Sequence, residues 1–213
     1  MLRREGGNLD MAAVSNRPVG WARTQWGIAM TRRNTSRRYG TVAMTFHWLI
    51  AALILSNVPL GYYFNEMLAE ENPSRTTFGL IHVAIGLSVL LLSLARLWWR
   101  LRNPVPKLAG DTPRIEQRFA KGTHYALYTL MIVVPLLGLA TILVPKELAR
   151  HIVGPTHEWL AYSLFVLALG HIAAAVFYHH MIRRDKILQR MLPGTEVGGD
   201  IDAIIRARRE PAR

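Results

Sequence analysis

Four stretches of this chain, 42–64, 78–99, 124–144 and 159–178, are apolar and hold a single full charge among them, Arg96. Each is about 20 residues or slightly more, the length a helix needs to cross about 30 Å of hydrocarbon while satisfying its own backbone. Helices of a soluble bundle would carry a polar stripe at a 3.6-residue period, and these stretches show none. Arg96 lies close to the end of its stretch, where its side chain can snorkel to the interface. The expected fold is all-α: an integral membrane four-helix bundle, with spans at about 42–64, 78–99, 120–144 and 157–179.

The net charge of +12 is placed rather than spread. Of 26 Lys and Arg residues, eight precede the first span, seven run from Arg96 to Lys121, and eight follow the last span. The other two connections hold only Arg75, Lys146 and Arg150. The positive-inside rule then puts both termini and the middle connection in the cytoplasm. The basic excess is read as topology and lipid contact. A nucleic-acid interface would instead gather it on one folded basic face interleaved with aromatics. Residues 1–38 hold eight arginines and no apolar run long enough for a signal segment or a span, and read as a flexible basic extension. Met30 is an alternative start, and Trp21 and Trp26 would sit at headgroup level if that segment met the membrane. Residues 39–193 form the membrane domain and 194–213 a cytoplasmic tail. The chain has no cysteine, which excludes disulfides, iron–sulfur ligation and covalent haem attachment.

An ionisable side chain inside a membrane helix points to function. Of the eight histidines, His47 opens the first span and His82 the second, so they sit near opposite membrane faces; His124 opens the third. The fourth span carries two, in HEWLAYSLFVLALGH, His157 to His171. Fourteen helical residues advance about 21 Å and turn about 1,400°, some 40° short of four full turns. His157 and His171 therefore project from nearly one face at opposite depths. Each has a partner at its own depth: His82 with His157 at the outer side, His47 with His171 at the inner. Two such pairs in a four-helix bundle are what two bis-histidine haems require.

A flat porphyrin also needs a small residue one turn beyond its ligand. Ala51 follows His47, Gly86 follows His82, Ala161 follows His157 and Ala175 follows His171. His124 is followed by Tyr128 and His179 by Arg183, so both fail this test. Single histidines of this kind also serve as interhelical hydrogen-bond groups, and small residues as packing contacts. His124 remains the alternative inner ligand, and Met44 or Met181 alternatives in a His/Met pair. His151 is expected in solvent, and His179 and His180 at the inner interface.

The segments RYGTVAMTFHWLIAALIL, GLIHVAIGLSVLLLSLARLWWRL, NPVP, HYALYTLMIVVPLLGLA, HEWLAYSLFVLALGHIAAAVFYHH and DKILQRMLP resemble the bacterial cytochrome b561 family from about Arg38 to Pro193. That resemblance implies two non-covalent haem b groups, one on His47 and His171 inside and one on His82 and His157 outside. It implies a place in the bacterial inner membrane and ubiquinone as a partner within it. One member type oxidises superoxide and passes the electrons to ubiquinone. The second outer connection here, VPKELARHIVGPT, is shorter than that type leads one to expect.

As an enzyme the chain would be a superoxide:quinone oxidoreductase. Lys146 and Arg150, with His151, would steer the anion at the outer surface. His179, Arg183 and Asp185 would supply protons and hydrogen bonds to quinone at the inner end. Each ligand histidine's second ring N–H should find an acceptor that fixes its orientation, and Glu158, beside His157, is one candidate. Two readings compete. One is a haem b electron-transfer subunit of a larger dehydrogenase or hydrogenase-type complex, docking a partner at the helix ends. The other is a small transporter or sensor without haem, a class that tends to show inverted repeats; none is evident here.

Overall fold

The computed structural model describes residues 32–35, 38–103, 105–106, 112–183 and 187–192. The basic extension up to residue 31, Asp185 and the tail 194–213 lie outside the described residues.

The apolar stretches form four helices: α1 Thr41–Tyr62, α2 Ser74–Arg102, α3 Arg114–Leu143 and α4 Gly154–Ala173. α1 runs on into a π-helical turn, Tyr63–Met67, and α4 into a longer one, Ala174–Ile182. A single turn, Lys146–Leu148, and a π-helical turn, Ala149–Val153, lead into α4. With these extensions, Thr41–Met67, Ser74–Arg102, Arg114–Leu143 and Lys146–Ile182 are each long and apolar enough to cross a membrane. No strand occurs among the described residues. The all-α four-span architecture expected from the sequence is therefore present. The helices outrun the apolar stretches because good helix formers such as Arg100, Arg114 and Arg118 carry them past the hydrocarbon. Pro59 and Pro135 are accommodated inside α1 and α3 without ending either helix.

Chain direction alternates, so the start of α1, the α2–α3 connection and the end of α4 share one end of the bundle, here the termini end. The other two connections lie at the far end. α1 packs on α2, α2 on α3 and α3 on α4, while α4 returns more loosely to α1. The buried core is one layer at mid-depth: Ile50 and Ile54 of α1, Val89 of α2, Tyr128, Met131 and Val134 of α3, and Leu164 of α4. It is small because the outward faces are apolar too; Leu143 is 75% and Trp159 72% exposed. In water such a surface would demand a partner, whereas in a bilayer it meets acyl chains.

Polar contacts fasten the termini end. Trp48 Nε1 donates to the Met191 carbonyl at 2.8 Å, holding the 3-10 turn Leu188–Met191 beneath α1. Arg183 pairs with Glu116, and the Tyr178 hydroxyl donates to the same carboxylate at 2.8 Å, tying the end of the fourth span to the start of α3.

Candidate functional site

At the far end, two turns into α2 and one into α4, His82 and His157 face each other with ring centres 6.1 Å apart. Each ring is held the same way. His82 Nδ1 donates to the Asn57 carbonyl of α1 at 3.2 Å, and His157 Nδ1 donates to the Val134 carbonyl of α3 at 2.9 Å. A carbonyl only accepts, so Nδ1 carries the proton and Nε2 keeps its lone pair for a metal. Four residues beyond each acceptor stands a glycine. A Cβ at Gly61 would come within 2.9 Å of His82 Cε1, and one at Gly138 within 2.9 Å of His157 Cε1. Only glycine lets the imidazole lie this close to the neighbouring helix.

The two histidines line a cavity of about 620 Å³ whose wall is mostly apolar and includes Gly86 and Ala161, with Arg150 and Tyr162 also on it. Its size falls in the range of cofactor sites. Asn57 reaches this wall as well, and its buried Oδ1 has no hydrogen-bond partner. Glu158, the candidate named from the sequence, does not serve His157. It accepts a 3.0 Å hydrogen bond from the Tyr162 hydroxyl one turn along its own helix. Consecutive helical residues point about 100° apart, so the neighbour in sequence is the wrong place to seek a partner.

At the termini end, His47 of α1 and His171 of α4 stand 6.2 Å apart between ring centres. His124 of α3 joins them, 5.3 Å from His171, its Nδ1 donating to the Ala120 carbonyl of its own helix. The buried Nδ1 of His47 has no hydrogen-bond partner. Beside this trio the guanidinium carbons of Arg96 and Arg100 lie 5.5 and 5.8 Å from the Tyr128 ring centre. Just ahead of α1, burial pushes the Tyr39 hydroxyl above the usual tyrosine value, with Arg100 and then Arg96 opposing the shift.

The other candidates divide. Arg150 shares the cavity with His157, whereas Lys146 is exposed and not on its wall. His151 is exposed and pairs with Glu147 at 3.2 Å. His179 packs against Tyr178 with ring centres 5.2 Å apart, and Arg183 is committed to Glu116. Met44 is buried, while Met181 is 58% exposed. Ala51 and Ala175 are half-buried in α1 and in the extension of α4. Sequence reasoning missed the two clearing glycines and the paired arginines. The glycines do leave a trace, NVPLG and VPLLG, each a proline-bearing turn from acceptor carbonyl to glycine.

A bundle of four membrane helices whose histidines meet at two levels is the architecture of a membrane-embedded b-type cytochrome. The chain belongs to the prokaryotic cytochrome b561 family, whose profile matches residues 38–194. It is similar to cytochrome b562 of Cereibacter sphaeroides, 34% identical over 161 residues, covering 72% of this chain and 94% of that one. It is also similar to cytochrome b561 homolog 2 of Escherichia coli K12, 28% identical over 181 residues, with 76% and 95% covered. A probable superoxide oxidase of Yersinia pestis is 25% identical over 178 residues, with 74% and 97% covered. The protein is thus a haem b-binding, multi-pass electron-transfer protein of the bacterial inner membrane.

The residues present fit haem. With metal–nitrogen bonds of about 2 Å and about 1 Å from ring nitrogen to ring centre, imidazoles on opposite sides of one iron stand about 6 Å apart. Separations of 6.1 and 6.2 Å match that spacing, and the 5.3 Å of the His124 pair falls short of it.

Proposed function

We propose that the protein holds two haem b groups, one between His82 and His157 and one between His47 and His171, and carries electrons between the membrane faces to ubiquinone. The observation that supports this reading is the pair of histidine couples at matching separation, fourteen residues apart along α4. Haem held between two histidines would supply one-electron exchange at each level.

The chain's own residues do the rest. The Asn57 and Val134 carbonyls fix the tautomer and the direction of the far-end imidazoles. Ile50, Ile54, Val89 and Leu164 form a dry layer between the two levels. Following the charge distribution, the termini end faces the cytoplasm and the far end the periplasm.

The donor we propose is superoxide, met at the far end. The printed name of the Yersinia pestis relative supports this, as does Arg150, a cation on the cavity wall that attracts a small anion. Two superoxide ions yield two dioxygen molecules and two electrons, and ubiquinone takes those electrons with two protons. At the termini end, His179 and the group formed by Tyr178, Glu116 and Arg183 provide proton-exchanging side chains for the quinone.

Reduced-minus-oxidised spectra with haem quantification on purified protein test the core. The wild type and His124→Ala should hold two b haems and His171→Ala one. An unchanged count in His171→Ala would break the pairing. Mixing oxidised protein with superoxide in a stopped flow should reduce the haems faster than superoxide dismutes, and more slowly in Arg150→Gln. No reduction above that background rules superoxide out as donor and leaves electron relay from a partner subunit.

A further inference from the structure

One helix face of α2 changes character along its length. Val89 and Ser93 are buried, and the next two positions of that face are Arg96 and Arg100. Both guanidinium groups lie over the same ring, Tyr128, which is itself buried in the core. Two like charges are thus packed against one apolar layer, and among the described residues neither meets a carboxylate. Glu116, the acid at this end of α3, is already taken by Arg183 and Tyr178. Cation–π attraction to a shared ring is small beside the mutual repulsion and partial desolvation of two half-buried guanidinium ions.

The polar groups buried nearby bring no negative charge. Ser93 Oγ on the same face and His47 Nδ1 are buried without partners. Two cations without a carboxylate, beside unpartnered polar groups, call for a ligand bearing two negative, acceptor-rich groups. Tyr128 lies one turn beyond His124 on α3, and the His124 ring is 5.3 Å from that of His171, which places that anion beside the histidines. An oxidised haem core between neutral imidazoles carries a net positive charge, which would add to this cationic field. Its two carboxylates are what reverse the balance.

We propose that Arg96 and Arg100, stacked on Tyr128, are the seat for the two carboxylates of the haem at His47 and His171. The inference rests on the two-haem reading above. Arg96 and Arg100 act here as positioning and tuning residues. They set which way round that haem enters, and raise its reduction potential by disfavouring the more positive oxidised state. The phosphate of an anionic lipid offers the same chemistry, and the test separates the two sources.

Redox titration with haem counting on the purified holoprotein reads the effect for wild type, Arg96→Gln, Arg100→Gln and Arg96→Lys. Two haems should remain in Arg96→Gln, with the potential of one lowered and the other unmoved, and Arg96→Lys should restore most of the shift. Redox-difference infrared spectra with haem labelled at its carboxylate carbons should show a carboxylate band that moves in Arg96→Gln. If Arg96→Gln sheds haem instead, the milder Arg100→Gln and Arg96→Lys should still move that band. Two retained haems with unmoved potentials and unmoved carboxylate bands would overturn the seat. So would loss of a tightly bound phospholipid in Arg96→Gln with both potentials intact, since the anion would then be a lipid phosphate. A wild type that binds only one haem would sink the two-haem reading itself.

Discussion

Gly138 sits near the C-terminal end of α3, where a side chain would come within 2.9 Å of His157 Cε1. Alanine there improves helix propensity by up to about 1 kcal/mol. It also forces the imidazole to shift, and a strained or lost hydrogen bond to the Val134 carbonyl costs about 1 kcal/mol. The two terms nearly cancel, so Gly138→Ala should leave the thermal unfolding midpoint close to wild type. What changes, on the proposed two-haem reading, is the direction of the ring nitrogen that would meet iron. Potentiometry of Gly138→Ala should show one haem with altered potential or reduced occupancy, the other being unaffected, and Gly61→Ala should do the same through His82. Gly122→Ala, where an added Cβ meets nothing within 4 Å, is the control. Equal effects from all three substitutions would mean that helix stiffness, and not clearance at the histidine, is what glycine supplies.

Along α4 the two levels are coupled by count alone. His157 and His171 both lie in its regular part, Gly154–Ala173, before the π-helical extension begins at Ala174. Inserting one alanine after Phe165 turns everything beyond it by about 100° and moves it about 1.5 Å along the axis. His171 then leaves His47 while His157 stays in register with His82. The expected product binds one haem, and its spectrum should resemble that of His171→Ala. Two intact haems in the insertion variant would show that the extension absorbs the added residue. This register was legible in the sequence, because a helical period converts a spacing into a direction without knowledge of the neighbours. The existence of the four spans was legible for the same kind of reason. What escaped was whatever depends on a second helix. Nothing in the spacing of α4 reports that Val134 and Gly138 stand opposite His157, and Glu158 was misread because sequence adjacency was taken for proximity. His124 failed the small-residue test yet lies nearest to His171, since that test concerns the ligand's own helix and not the space between helices. The π-helical turns, two of which contribute Phe64 and Arg150 to the cavity wall, carry no signal in apolar periodicity.

At the scale of the whole molecule, orientation decides which histidine pair meets which compartment. The termini end carries the basic excess, whereas the far end carries only Arg75, Lys146 and Arg150 among Lys and Arg residues. Charge in short connections sets the orientation of a multi-pass protein, and the reading we propose from it has the far-end cavity and its Arg150 facing the periplasm. The absence of cysteine makes this directly testable, because any single introduced thiol is the only one present. Glu70→Cys places it in the exposed α1–α2 connection, and Val105→Cys in the α2–α3 connection at the opposite end. A membrane-impermeant maleimide added to cells with a permeabilised outer membrane should label Glu70→Cys and spare Val105→Cys until the inner membrane is broken. The reverse pattern would place the His82–His157 level on the cytoplasmic side. Superoxide arriving from the periplasm would then face the three-histidine end, with its two arginines, and the assignment of donor and quinone sides would have to be exchanged.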